Sequence, residues 1–302
     1  MIPVRRVGHA TFETTDLDRQ VAYYSDVIGL SVLARTPKLA ILGTPFGQEV
    51  IAFERGTACR CTRVAFQVAP GFEQSRVAAE LTAMGLPSEP RSAITPAIPH
   101  AVVFKDPKGT EIELFTEHNP VAGPAPQGGI APLKLGHIAF SVPSAQAITD
   151  FYVNALGFRV SDWIENLFAF LRCGPDHHTV NFVTGQTTFM HHLAFELRDW
   201  GHFQIACDTL GKHKRPIIWG PGRHTVGHNL FVFHRDPDDH IIEFYAELDL
   251  MKDEELGFFE PRPWHEFNPQ RPRVWKLSES SPVWGMAPSA DFRRSGNAHL
   301  NK

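Results

Sequence analysis

Cysteine is scarce. The 302 residues hold four, one C-x-C pair (Cys59, Cys61) and two singletons (Cys173, Cys207), and this spacing matches neither a disulfide framework nor a zinc site. No apolar run approaches the ~20 residues of a membrane-spanning helix, and the opening MIPVRRVGHATF has no apolar stretch of the secretory kind. Basic residues are not in excess either. Lys+Arg number 29 against 33 Asp+Glu, giving a net charge of −4, so the chain carries no electrostatic footprint for nucleic acid or an anionic membrane. These absences point to a cytoplasmic chain with reduced thiols. Histidine is plentiful: there are 16, many in the second half. A hydrophobic content of 43% is enough for two ordinary cores.

The chain repeats itself. QVAYYSDVIGL lines up with DFYVNALGF, placing Tyr24 against Tyr152. VGHATF lines up with LGHIAF (His9 against His137), and TRVAFQ with HHLAFE (Arg63 against His192). FKDPKGTEIELF lines up with HRDPDDHIIEFY (Glu113 against Glu243). The offsets stay between 128 and 130 residues across the four matches, which indicates duplication.

Within each half the pattern doubles again. Strand-like alternation near His9 precedes a helix from about Thr15 to Ile28, with Thr-Thr-Asp cap chemistry at its start and Gly29 at its end. A second strand near 63–68 leads to a helix near Glu73–Met84 and then to strands flanking the Asp106-Pro turn. The second half repeats this order. The expected fold class is α+β: two tandem domains, each of two βαβββ modules forming a curved, barrel-like mixed sheet. The expected divisions are 1–120, a Pro/Gly-rich linker at 121–132, a second domain at 133–250, and an irregular tail at 251–302.

Strand alternation places His137, Ala139 and Ser141 on one face of their strand. His192, Ala194 and Glu196 share a face of another, with His191, Leu193 and Phe195 opposite, so that His191 is expected in the core. Glu243 shares a face with Ile241 and Tyr245 on a third strand. A lone histidine on a half-buried strand is ordinarily a hydrogen-bonded structural residue. Here two imidazoles and a carboxylate from three strands can converge, and that combination is the facial triad suited to non-haem Fe(II). In the first half His9 and Glu113 persist, but Arg63 stands where His192 does. A guanidinium cannot ligate a cation, so the first half reads as a vacated copy of the site, with Arg63 expected to pair with Glu113.

GHIAF, MHHLAFEL and IIEFY, with PGRHTVGH between the last two, resemble the type I extradiol (ring-cleaving) dioxygenases of the vicinal oxygen chelate superfamily over about residues 5–250. The resemblance implies an enzyme that opens a catechol-type aromatic diol with O2, using Fe(II), or Mn(II), in the C-terminal domain. It implies His137, His192 and Glu243 as metal ligands, His178 as acid–base residue, His224 on the substrate oxygens and His228 as a further second-sphere histidine. Homo-oligomers are expected, with the segment 258–285 and its Trp264, Trp275 and Trp284 packed on their own domain or on a neighbour. One position departs from the family. Ten residues before the glutamate ligand, where a substrate-binding tyrosine is expected, stands Phe233. Either His228 or His234 supplies the missing donor, or Phe233 and the small Ala139 make room for a bulky substituent. The alternatives are a glyoxalase-like metal lyase or isomerase, and a non-enzymatic small-molecule-sequestering protein of the same superfamily.

Overall fold

The computed structural model describes residues 1–121, 123–124, 128–260 and 271–294. The first half runs β1 (Val4–Thr14), α1 (Leu17–Tyr23), β2 (Ser31–Arg35), β3 (Leu39–Gly43), β4 (Glu49–Arg55), β5 (Arg60–Val68), α2 (Gln74–Ala83), β6 (Ser88–Ser92), β7 (His100–Lys105) and β8 (Glu111–Phe115). The second half repeats it as β9 (Lys134–Val142), α3 (Ala145–Leu156), β10 (Arg159–Ile164), β11 (Phe168–Arg172), β12 (Val180–Thr184), β13 (Phe189–Glu196), α4 (Trp200–Lys212), β14 (Ile217–Arg223), β15 (Leu230–Arg235) and β16 (Ile241–Ala246). Helices α1, α3 and α4 begin on capping side chains: Asp16, Ser144 and Asp199 accept from the backbone N–H of Arg19, Ala147 and His202. No helix among the described residues is long and apolar enough to cross a membrane.

Among the described residues the strands form one mixed sheet per half, ordered β2-β3-β4-β1-β5-β8-β7-β6 and β14-β15-β16-β13-β9-β12-β11-β10. Each sheet is two βαβββ modules joined through an antiparallel pair, β1 with β5 and β9 with β13. Alternation gives each strand two duties. Ile138, Phe140 and Val142 of β9 and Leu193 and Phe195 of β13 join a single core that runs through both halves, from Ile2 to Ala246. The intervening residues turn the other way and make the site.

The tail expected to be irregular contains further strands. Met251–Asp253 (β17) pairs with Phe258–Phe259 (β18), and Arg273–Trp275 (β19) adds to the second sheet as a parallel edge strand beside β10. A short helix, α5 (Ala290–Arg293), packs beside β14. Strand-adding backbone has no alternation to read when only three residues pair, which is why sequence pattern misses it. Trp275 is buried in the protein's own second half and Trp284 is half exposed; Trp264 lies outside the described residues.

The halves are clamped reciprocally. Each Asp-Pro turn of the repeat accepts from a tyrosine on the opposite half. Tyr152 on α3 donates to Asp106 at 2.9 Å, and Tyr24 donates to Asp236 at 3.2 Å. Lys108, wholly buried, pairs with Asp106 and lies 4.4 Å from the Phe140 ring of the other half. His240 closes the second turn on Asp236 at 3.1 Å. A buried ammonium whose only carboxylate is removed costs far more than one lost hydroxyl donor. Asp106→Ala is therefore expected to destabilise by about 3–5 kcal/mol, and Tyr152→Phe by about 1–3 kcal/mol. Urea unfolding of the two variants checks the order; equal losses would mean that Lys108 does not depend on Asp106.

Candidate metal centre

Three side chains from three adjacent strands meet on the inner face of the second sheet. His137 Nε2 stands 3.0 Å from Glu243 Oε2, His192 Nε2 stands 3.3 Å from His137 Nε2, and His192 Nε2 stands 3.4 Å from Glu243 Oε2. All three residues are buried. Donors about 2.1 Å from one centre and at right angles to each other stand about 3.0 Å apart, so the triangle fits a small divalent cation. Burial pushes the Glu243 carboxyl up, but His137 and His192 beside it outweigh that and hold it well below the usual carboxylate range. Burial also lowers His192, which keeps its imidazole in the neutral, ligating form.

The ladders explain the convergence. β13 lies between β9 and β16, antiparallel to one and parallel to the other, with Ala194 paired both with His137 and with Glu243. Gly136 precedes His137 because a Cβ there would overlap the hydroxyl of Tyr245, whose ring packs 5.2 Å from His137. Ala139 pairs with His192 and is buried on the same face.

His191 departs from the expectation that it sits in the core. β13 bulges here: Met190 pairs with Phe140 and His192 with Ala139, leaving His191 as the extra residue. The bulge turns both imidazoles toward the site, with His191 Nδ1 at 2.8 Å from His192 Nδ1. A simple alternation count cannot anticipate that shift. The first half carries the same bulge, with Thr11 paired to Arg63 and Phe12 to Cys61, and Thr62 as its extra residue.

Around the triad stand the other singled-out residues. His178 is buried with its ring 4.3 Å from that of His137; burial first, then the neighbouring imidazoles, holds it well below the usual histidine range. His224 stacks on Phe231 with centroids 3.9 Å apart, its Nε2 3.8 Å from Glu243 Oε1; burial lowers it to about 4. His228 takes a left-handed turn conformation, φ +55°, and its Nδ1 meets Asp249 Oδ2 at 2.7 Å. Phe233 pairs with Glu243 across the ladder, lies edge-on to His192 at 5.4 Å and stacks on Trp219 at 5.3 Å. His234, a possible substitute donor, faces the other way: it stacks on Phe244 and meets the Tyr23 hydroxyl of the first half. It cannot replace a phenol at Phe233.

Several site residues escaped sequence reasoning. Asn229 donates to Glu243 Oε1 at 3.1 Å, and its only signal was its place after Gly-His. Trp219 and Phe292 complete an apolar wall with Phe233 and Ile218. Phe292 comes from α5, held by Arg235 against Asp291 and by Arg294 against Asp239. It lies about fifty residues beyond the repeated modules, where no period reports on packing.

The matching position of the first half is occupied by protein groups. Arg63 Nε lies 3.2 Å from Glu113 Oε1 and His9 Nε2 lies 3.2 Å from Glu113 Oε2. The guanidinium also donates to both oxygens of Glu54, at 3.2 and 2.6 Å. Ile98, Ala101, Ala65 and Phe115 fill the space beside it.

Residues 134–244 match the family model described as Glyoxalase/Bleomycin resistance protein/Dioxygenase superfamily. Metapyrocatechase 2 of Cupriavidus necator is 27% identical over 271 residues, 82% of each chain. The manganese-dependent 2,3-dihydroxybiphenyl 1,2-dioxygenase of Geobacillus genomosp. 3 is 23% identical over 309 residues, 92% of this chain and 96% of that one. Among solved structures, the Mn(II)-bound glyoxalase from Novosphingobium aromaticivorans superposes with a TM-score of 0.84 at 22% identity, covering 99% of this chain and 97% of its own. Homoprotocatechuate 2,3-dioxygenase from Brevibacterium fuscum, in complex with 3,4-dihydroxyphenylacetate, superposes with a TM-score of 0.82 at 22% identity over 98% and 93%. Residues 134–244 thus carry a domain of the glyoxalase/bleomycin resistance protein/dioxygenase, or vicinal oxygen chelate, superfamily, and the chain has the two-domain fold of solved extradiol dioxygenases.

Proposed function

We propose that the protein is a cytoplasmic extradiol dioxygenase that opens a catechol-type aromatic diol with both atoms of O2, at a metal held by His137, His192 and Glu243. The observation that carries this reading is the triangle of ligand atoms in the second half, set against an aromatic wall and beside a neutral buried imidazole. Fe(II) suits a two-histidine, one-carboxylate set, with Mn(II) as the alternative, and the metal when bound supplies Lewis acidity toward the diol and redox chemistry toward O2.

The protein's own groups do the rest. To ligate through Nε2, His192 carries its proton on Nδ1, and the acceptor is His191 Nδ1 at 2.8 Å. Asn229 holds the second oxygen of Glu243 and so turns the first toward the ligand triangle. His178 enters the reaction neutral and takes a proton from a diol hydroxyl; once charged it becomes the acid that returns it. His224, ring-stacked on Phe231, presents Nε2 near Glu243 and is the donor toward substrate oxygen. Phe233, Trp219, Phe292 and Ile218 exclude water and favour a diol with an apolar substituent. Subunits would associate through exposed apolar residues of the tail, Val274, Leu277, Val283 and Trp284; a monomer in light scattering would remove that element.

The direct test is O2 uptake on catechol and on 3-substituted catechols after anaerobic loading with Fe(II) or Mn(II). One O2 consumed per ring, with both atoms of labelled O2 in the product, is the expected result. No uptake, together with isomerisation of a glutathione hemithioacetal, would replace this reading by the glyoxalase-like one.

His192→Ala is expected to lose the metal on dialysis while remaining folded, and His191→Phe to weaken metal affinity by about 10–100-fold, the range for an outer-shell partner. Metal analysis at fixed free metal reads both; a fully metallated His192→Ala protein would contradict the ligand assignment. Phe233→Tyr adds a hydroxyl against Trp219 and Phe292. It is expected to raise the KM for a bulky 3-substituted catechol several-fold, consistent with about 1–3 kcal/mol for a buried polar group left without a partner. A lower KM for both substrates would mean that the site accepts a phenol donor.

A further inference from the structure

His178 does not act alone. Its Nδ1 lies 3.0 Å from Nδ1 of His177, and His177 Nε2 lies 3.1 Å from Oδ2 of Asp162 on β10. Asp162 is buried and is held from the tail: the indole N–H of Trp275 donates to Oδ2 at 3.0 Å, and the backbone N–H of Arg273 donates to Oδ1 at 2.9 Å. His177 is fully buried, packed between Phe170 and Phe259, and its own N–H donates to the Asp249 carbonyl.

The donors fix the proton positions. An indole N–H and an amide N–H can only donate, so both oxygens of Asp162 are acceptors. The proton shared with His177 then sits on Nε2, which in the neutral imidazole leaves His177 Nδ1 as a lone pair. The only proton that can bridge 3.0 Å to it is one on His178 Nδ1. His178 Nε2 is thereby left without a proton. We propose that Asp162 and His177 are positioning residues that lock His178 in the tautomer whose Nε2 is free to act as a base, with strand β19 of the tail completing the lock. The proposal rests on the reading of His178 as the site's proton acceptor. In the step it serves, the diol O–H bond breaks and an N–H bond forms at Nε2. The Nδ1–H stays bonded to His177, and the positive charge of His178 lies two links from the Asp162 carboxylate.

The duplicate half supports the assignment. Ala10 pairs with Ile51 as Ile138 pairs with Val180, so two residues earlier Glu49 stands where His178 does. Glu49 is buried and accepts from Thr95 and from the Ala97 N–H. The first half, where Arg63 takes the ligand position, thus has a carboxylate already held by Thr95 and Ala97 in place of the imidazole. Asp162 and His177 accompany His178 only in the half that carries the three ligand atoms.

The experiment is long-range proton–nitrogen correlation on metal-free protein labelled with 15N-histidine, with the His178 signals assigned by their loss in His178→Gln. The wild-type spectrum alone is decisive: a protonated Nδ1 and bare Nε2 at His178 are expected, and a protonated Nε2 would overturn the proposal. In Asp162→Asn the amide keeps an acceptor for Trp275 or Arg273 but presents N–H to His177. The His177 proton moves to Nδ1 and His178 is driven to the Nε2–H form. With metal loaded and catechol as probe, kcat is then expected to fall about 100-fold or more, the range for a misplaced general base, with KM within about threefold and metal content unchanged. An unchanged tautomer and unchanged kcat in folded Asp162→Asn would overturn it. Should that variant not fold, His177→Phe keeps the ring volume and is expected to leave His178 a mixture of tautomers; a single retained tautomer would overturn the relay. The expected tautomer with no attack on any catechol would sink the functional reading and leave the relay standing, because the spectrum needs neither metal nor substrate.

Discussion

A carboxylate buried among imidazoles is the constraint on which the rest of the site depends. Glu243 is almost wholly removed from solvent, and its oxygens face His137, His192, His224 and Asn229. Burying such a charge without a cation is costly. The first half shows what the same backbone does when the cation comes from the protein: Arg63 takes the position of His192 and lies against Glu113. Replacing that guanidinium by an imidazole removes a permanent charge and adds a lone pair. The second half has no guanidinium at this position but three atoms able to ligate, which is why we propose a metal in that half only.

The scaffold around this charge is rigid for identifiable reasons. The β-bulge, present at the same place in both halves, turns two consecutive side chains to the inner face. In the second half this sets His191 behind His192, just as His177 is set behind His178. On the proposed reading, each His-His pair combines a residue facing the reaction space with one that directs its proton. The reciprocal contacts of Tyr152 with Asp106 and Tyr24 with Asp236 fix the two sheets on each other, so that the core continues across the boundary. The tail then finishes the site twice, through Trp275 on Asp162 and through Phe292 on the aromatic wall.

The repeated modules were legible because their period survived duplication. Strand alternation and cap residues suffice to place His137, His192 and Glu243 on one face, since each lies inside a regular strand flanked by core positions. His191 was misplaced because one extra residue inverts the count, and a bulge leaves no signature that alternation can register. Asn229, Trp219 and Asp162 were missed for a different reason. Each acts through a contact made far along the chain, to Glu243, Phe292 and His177 respectively. Phe233 lies edge-on to His192, and His234, which faces Tyr23, drops out as a replacement donor while His228 stays as one. The tail gave no period at all, so its part in the site follows from packing alone.

The central claim is that one metal binds, in the second half, on three named atoms. Anomalous diffraction at the metal edge from crystals of Fe(II)- or Mn(II)-loaded protein measures this directly. The account predicts one strong peak per chain, about 2.0–2.3 Å from His137 Nε2, His192 Nε2 and Glu243 Oε2, and none beside His9 and Glu113. A peak in the first half, or a second-half peak lacking any of the three contacts, would contradict it.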